Sequence, residues 1–86
     1  MKIILHKSFE KQYKKLGEHV KQQFKERRNT FLNDPFDLAL NNHPLKGNYK
    51  GYRSIYINAD VRALYKLIAS DIALFVVIDS HSNLYS

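Results

Sequence analysis

The sequence predicts an α+β domain of order β-α-α-β-β-β, a mainly antiparallel four-stranded sheet with an N-terminal helical hairpin packed on one face. Between Phe9 and Phe31 apolar residues recur at spacings of three and four, the period of an amphipathic helix. Beyond Tyr49 the pattern changes to short runs dense in Val, Ile, Leu, Tyr and Phe, separated by the turn-like "NAD" and "ASD", which is the signature of consecutive strands. With 86 residues and 44% hydrophobic content, the chain has material for one core, so a single domain over 1–86 is expected.

Lys2 to Leu5 read as a short strand, and Ser8 as the start signal of the first helix, because its hydroxyl can accept from a first-turn N–H. Phe9, Tyr13 and Leu16 gather on one helical face, and Gly17 offers a stop. A second helix from about Glu18 turns Val20, Phe24 and Phe31 inward, while Lys21, Lys25 and Arg28 form a separate basic stripe; "NDP", Asn33 to Pro35, ends it. The very short connection makes the pair a hairpin with a shared apolar face. Phe36 to Tyr49 is expected to be a loop. Three strands follow, Tyr52–Ile57, Val61–Ile68 and Ile72–Ile78, and tight turns make them antiparallel. The run "IALFVVI" is apolar on both faces, which places it inside the sheet. The terminal "DSHSNLYS" reads as a polar tail.

A formal charge of +6 and a pI near 9.7 surround so small a chain with a field that attracts polyanions. Nucleic acid, an anionic membrane surface or an acidic protein partner would each respond to it. Cysteine is absent, which excludes disulfides and thiolate metal sites. No two of the four histidines stand at helical ligand spacing, so neither a metal nor another cofactor is expected. No apolar run approaches the ~20 residues of a membrane span, and the N-terminal run is too short for a signal-peptide core. A soluble, cytoplasmic protein with no membrane association is the expectation.

The stretch "HPLKGNYKGYR", His43 to Arg53, concentrates a histidine, two lysines and an arginine with no acid, in a segment that proline and glycine keep from being helical. It leads into the second strand, and loops set by a rigid sheet commonly carry binding residues. Asp60 lies in the following turn. Arg62 and Lys66 share one face of the next strand with Leu64 between them, and the last strand delivers His81 and Tyr85 near the C-terminus. Singly, each has a plain structural explanation: a capping histidine, a solvated lysine face, a tyrosine packed on a sheet. Spacing alone supports a basic α+β domain that binds nucleic acid.

The segments "HPLKGNYKGYRSIYINADVRALYKL" and "IDSHSNLYS" resemble the corresponding motifs of the RelE/ParE superfamily of bacterial toxins, in particular the YafQ-like branch of type II toxin–antitoxin systems. The resemblance implies a ribosome-dependent mRNA endoribonuclease, monomeric when free and held inactive by a cognate antitoxin in a heterotetrameric or larger complex. It implies that His43, Asp60 and His81 are the acid–base groups, that Tyr85 is the aromatic near the cut, and that Arg53 serves the reacting phosphate. Tyr56 stands where close relatives have a histidine, and Val77 where an arginine is expected. The chemistry is consistent: RNA carries its own 2′-OH nucleophile, so a base, an acid and cations near the phosphate suffice, and a free imidazole titrates near ~6.5. Lys46, Lys50, Arg62 and Lys66 are further candidates for the RNA phosphates, with Lys21, Lys25 and Arg28 as an RNA-seating ridge. His81 reads as the acid and His43 or Asp60 as the base; a 2′,3′-cyclic phosphate or 3′-phosphate and a 5′-hydroxyl are the expected ends. The alternative reading is a ParE-like toxin that inhibits DNA gyrase by protein binding, without nuclease chemistry.

Overall fold

The computed structural model describes residues 1–85. Its elements are β1 (Lys2–Leu5), α1 (Lys7–Lys14), α2 (Glu18–Asn33), β2 (His43–Pro44), β3 (Arg53–Tyr56), β4 (Val61–Ala69), β5 (Ile72–Ser80) and α3 (His81–Tyr85). The α+β class and the three antiparallel strands are as expected, but the sheet has five strands, in the order β1-β5-β4-β3-β2. The added strand is β2, inside the segment read as a loop, where His43 pairs with Ser54 and Pro44 with Arg53. Two residues have no period to detect, and a proline without an N–H is tolerated there because β2 is an edge. β1 pairs parallel to β5, so β5 lies between β1 and β4 and is covered on both edges, in keeping with its apolar sequence.

The start of α1 differs from expectation. His6 is the cap, its Nδ1 accepting from the Ser8 N–H at 3.1 Å, while the Ser8 hydroxyl donates to the Val76 carbonyl at 2.7 Å. Val76 is the extra residue of a β-bulge: Leu64 pairs with Val77 and Tyr65 with Phe75, leaving Val76 without a partner. A bulge interrupts the ladder, and Ser8 takes up the carbonyl that it leaves over. Gly17, read as a stop, is instead the residue that caps α2.

Both helices lie on one face of the sheet. Phe9, Phe24 and Phe31 are buried there with Tyr65, Ala73, Phe75 and Ile78. Phe75 is the hub: its ring centroid lies 6.0 Å from Phe9, 6.2 Å from Phe24, 5.4 Å from Phe31 and 5.1 Å from Tyr65. Phe75→Ala is expected to cost ~3–5 kcal/mol, as for other large buried aromatics, a large part of the ~5–15 kcal/mol that holds a small domain. A fall of the urea midpoint by less than a third of its value would show that the helices repack over the gap.

Strand alternation sends Ser54, Tyr56, Arg62, Leu64, Lys66, Val77 and Asp79 to the opposite face. The C-terminal segment, read as a tail, is α3, which packs against β5. Ser80 caps it, Oγ accepting from the Asn83 N–H at 3.2 Å. Asp79 Oδ1 accepts from the Ser80 N–H at 2.7 Å and from Asn83 Nδ2 at 3.1 Å. The capping pattern Ser80-x-x-Asn83 is the local signal that could have announced this helix.

Candidate active site

On the face away from α1 and α2 lies a cleft of about 370 Å³ lined by Asn41, His43, Leu45, Arg62, His81 and Tyr85. Four of the sequence-predicted site residues, His43, Arg62, His81 and Tyr85, drawn from three separate parts of the sequence, line it together. No acid lines it.

His43 is set by its own loop. Asn41 closes a short 3₁₀ turn, Leu38–Leu40, in the left-handed conformation at φ 45°, which asparagine tolerates better than most residues. Its backbone carbonyl then lies 2.8 Å from His43 Nδ1. A carbonyl only accepts, so Nδ1 carries the proton, and the neutral ring keeps a lone pair on Nε2. Asn42, next along, ties this loop to the sheet: Nδ2 donates to the Pro35 carbonyl at 2.9 Å and to the Tyr65 hydroxyl at 2.7 Å, and Oδ1 accepts from Arg53 Nε at 2.8 Å. Neither asparagine was read as functional from the sequence.

Arg62 is fixed from two sides. One terminal nitrogen donates to the carbonyls of Asn58, at 2.6 Å, and Val61, at 3.1 Å, and the guanidinium stands over the Tyr56 ring at 4.9 Å. Arg27 of α2 reaches the same ring at 5.1 Å while its Nε donates to the Ile57 carbonyl at 3.2 Å. Tyr56, which occupies the place of a histidine in the resemblance, therefore supports two guanidiniums. Val77 lies opposite Leu64, which is wholly buried, and the guanidinium lining the cleft comes from the neighbouring strand as Arg62.

His81 opens α3, its N–H donating to the Asp60 carbonyl at 2.6 Å, and its ring lies 4.7 Å from that of Tyr85 one turn later. It is through this carbonyl that Asp60 meets His81; the residue itself is exposed and does not line the cleft. Ser54, opposite His43 on the same face, is fully buried with Oγ unpartnered, the one such side-chain atom among the described residues. An orphaned buried hydroxyl costs on the order of 1–3 kcal/mol.

Arg53 is not in the cleft. It pairs with Tyr65 and so points to the helix side, where its guanidinium lies over the Phe36 ring at 5.2 Å. One step along a strand reverses the face, and sequence likeness does not count that step. Lys46 and Lys50 are exposed around the Gly47–Tyr49 turn, which Gly47 at φ 66° and Gly51 at φ 93° allow. Lys21, Lys25 and Arg28 sit on α2, behind the sheet as seen from the cleft; Lys21 is paired to Glu18 at 3.6 Å, the one ion pair among the described residues.

A sequence profile described as "Bacterial toxin of type II toxin-antitoxin system, YafQ" matches residues 1–86. No curated protein matches by sequence. Among solved structures, a copper-bound mutant toxin from Helicobacter pylori is 30% identical, with 99% of each chain covered and a TM-score of 0.70. YafQ from E. coli is 23% identical over 98% of this chain and 97% of that one, TM-score 0.80. The YafQ chain of the E. coli DinJ–YafQ toxin–antitoxin complex is 23% identical over 98% of this chain and 96% of that one, TM-score 0.77. The acid-free cleft with its two histidines thus stands on a fold shared with these toxins, and the chain belongs to the YafQ family of bacterial toxins of type II toxin–antitoxin systems.

Proposed function

We propose that this toxin is an mRNA interferase, cutting mRNA on the translating ribosome by acid–base attack of the 2′-OH, without a metal. The observation that carries the reading is that His43, with the proton held on Nδ1, and His81 face one cleft together with Arg62. His43 Nε2 takes the 2′-OH proton, the 2′-oxygen bonds to phosphorus, and the bond to the 5′-oxygen breaks as His81 protonates it. Arg62 supports the negative charge that grows on the phosphate oxygens. The products are a 2′,3′-cyclic phosphate, or the 3′-phosphate after its hydrolysis, and a 5′-hydroxyl. The base left open between His43 and Asp60 is assigned to His43, because the Asp60 residue stands outside the cleft. Action on ribosomes places the protein in the cytoplasm. A cognate antitoxin with an acidic segment suits the acid-free cleft and the net charge, and blocks RNA by covering it.

Mapping new mRNA ends in a translation reaction tests the reading: 5′-hydroxyl and cyclic-phosphate ends support it. Inhibition of gyrase with intact mRNA overturns it. Arg62→Ala is expected to lower the cleavage rate by ~10²–10³, as loss of a transition-state donor does, with a smaller loss of RNA affinity. Arg62→Lys recovers only part, because lysine lacks the fork that holds both the turn carbonyls and a phosphate. Equal losses in rate and affinity would reduce Arg62 to a positioning role.

A further inference from the structure

A second hollow, of about 320 Å³, opens where β3 begins and is lined by Pro44, Gly51, Tyr52, Arg53, Lys66 and Leu67. It shares no lining residue with the cleft. β2 forms the ridge between them: His43 and Leu45 line the cleft, while Pro44 between them lines the hollow, as alternation requires. Two of its six residues are cations and none is an acid, and neither cation has an ion-pair partner among the described residues.

The aromatic in this hollow is held for contact. The Lys66 ammonium lies 5.4 Å from the Tyr52 ring centroid, and Tyr49 meets Tyr52 edge-on at 6.3 Å. Arg53 is anchored through Nε to Asn42 and by its stack on Phe36, and its terminal N–H groups have no protein partner among the described residues. Lys66 and Arg62 lie on the same face of β4, four residues and so ~13 Å apart at the usual strand rise. A strand seated in the cleft and continued along β4 reaches Lys66 and Tyr52 at the rim of the hollow.

We infer that the Tyr52–Lys66 pair at the rim of this hollow is a second nucleotide subsite, which takes a flanking nucleotide of the same RNA strand whose phosphodiester lies in the cleft. The inference rests on the reading of the cleft as an RNA-cutting site. The flanking base stacks on Tyr52, and Lys66 takes its phosphate. A positively charged track with an aromatic platform is the arrangement that binds single strands without strong sequence preference, because every base offers a π-face. An acidic peptide would use the cations and leave the ring without a role.

The test uses the full chain and uncleavable 2′-O-methyl RNA oligomers of increasing length, from dinucleotide to hexanucleotide, with binding read by fluorescence anisotropy. Affinity is expected to step up once an oligomer is long enough to occupy both sites. Tyr52→Leu reduces that step by a factor between about 5 and 150, the value of one base stacked on an aromatic, and Tyr52→Phe retains it. Lys66→Gln lowers the salt slope of the long oligomer by about 0.7, one phosphate contact to a single strand. A step unchanged in both Tyr52→Leu and Lys66→Gln overturns the subsite, as does an equal loss for short and long oligomers, which would reflect only the general basic field. Loss of antitoxin binding in these variants with the step intact also overturns it and gives the hollow to a protein partner. Cleavage of mRNA without any length-dependent step removes the subsite alone. A step without any mRNA cleavage keeps the hollow as an RNA site and removes the nuclease reading.

Discussion

His81→Gln is expected to slow cleavage of translating mRNA by a factor on the order of 10²–10⁴, the usual contribution of a positioned proton donor. The fold survives the change, because what ties His81 to the protein is its backbone N–H on the Asp60 carbonyl, and that bond is indifferent to the side chain. The Ser80 cap and the Asp79 contacts that form α3 are likewise untouched. What is lost is an imidazole exposed at the mouth of the cleft, one turn from Tyr85. Glutamine retains hydrogen bonding but cannot deliver a proton to the departing 5′-oxygen. A substrate with a 5′-phosphorothiolate at the cut, whose sulfur leaves without protonation, should therefore recover most of the rate. Full-rate cleavage of ordinary mRNA by the variant excludes His81 from the chemistry. An equally slow cut of the phosphorothiolate reassigns it to placing the substrate.

Loss of the base should be as severe. His43→Ala is expected to lower the cleavage rate by ~10²–10⁴, with partial return when free imidazole is added, since the truncated side chain leaves room beside Asn41. The accompanying loss of stability is small, ~1 kcal/mol, because one hydrogen bond on a two-residue edge strand disappears and the fully buried core is not involved. The assignment depends on the bond from Nδ1 to the Asn41 carbonyl, which leaves Nε2 to accept the 2′-OH proton. If imidazole restores nothing, and Asp60→Asn loses as much rate as His43→Ala, the base is the carboxylate and His43 a ligand of the substrate.

The two histidines differ in how far they could be read in advance. His43 stands in a segment whose proline, glycines and cations mark a loop, and its exposure to a site follows from composition and family likeness. The hydrogen bond that sets its tautomer does not, because it depends on the φ of Asn41, two residues away, in a 3₁₀ turn too short to have a period. Arg53 shows the opposite failure. It lies at the start of a strand that was correctly placed, yet the parity of its pairing with Tyr65 turns it to the helix face, and the cleft takes its cation from Arg62.

The sequence alone determined the two amphipathic helices, the three antiparallel strands, the shared face of Arg62, Leu64 and Lys66, and the likeness to the toxin family. Each of these is written in a spacing of two, three or four residues, or in a motif that lies within one segment. Tertiary structure alone decided that β1 runs parallel to β5, that His43 and Pro44 add a fifth strand, and that Asp60 meets His81 through a carbonyl. These depend on partners many residues apart: His81 touches Asp60 because β4 and β5 are paired up to Val61 and Ser80, and His43 lies across from Ser54 because two glycines with positive φ turn the chain back between them. Local period records which side of an element is apolar; it carries no record of which distant backbone group will complete a hydrogen bond, and that is what assembled the cleft.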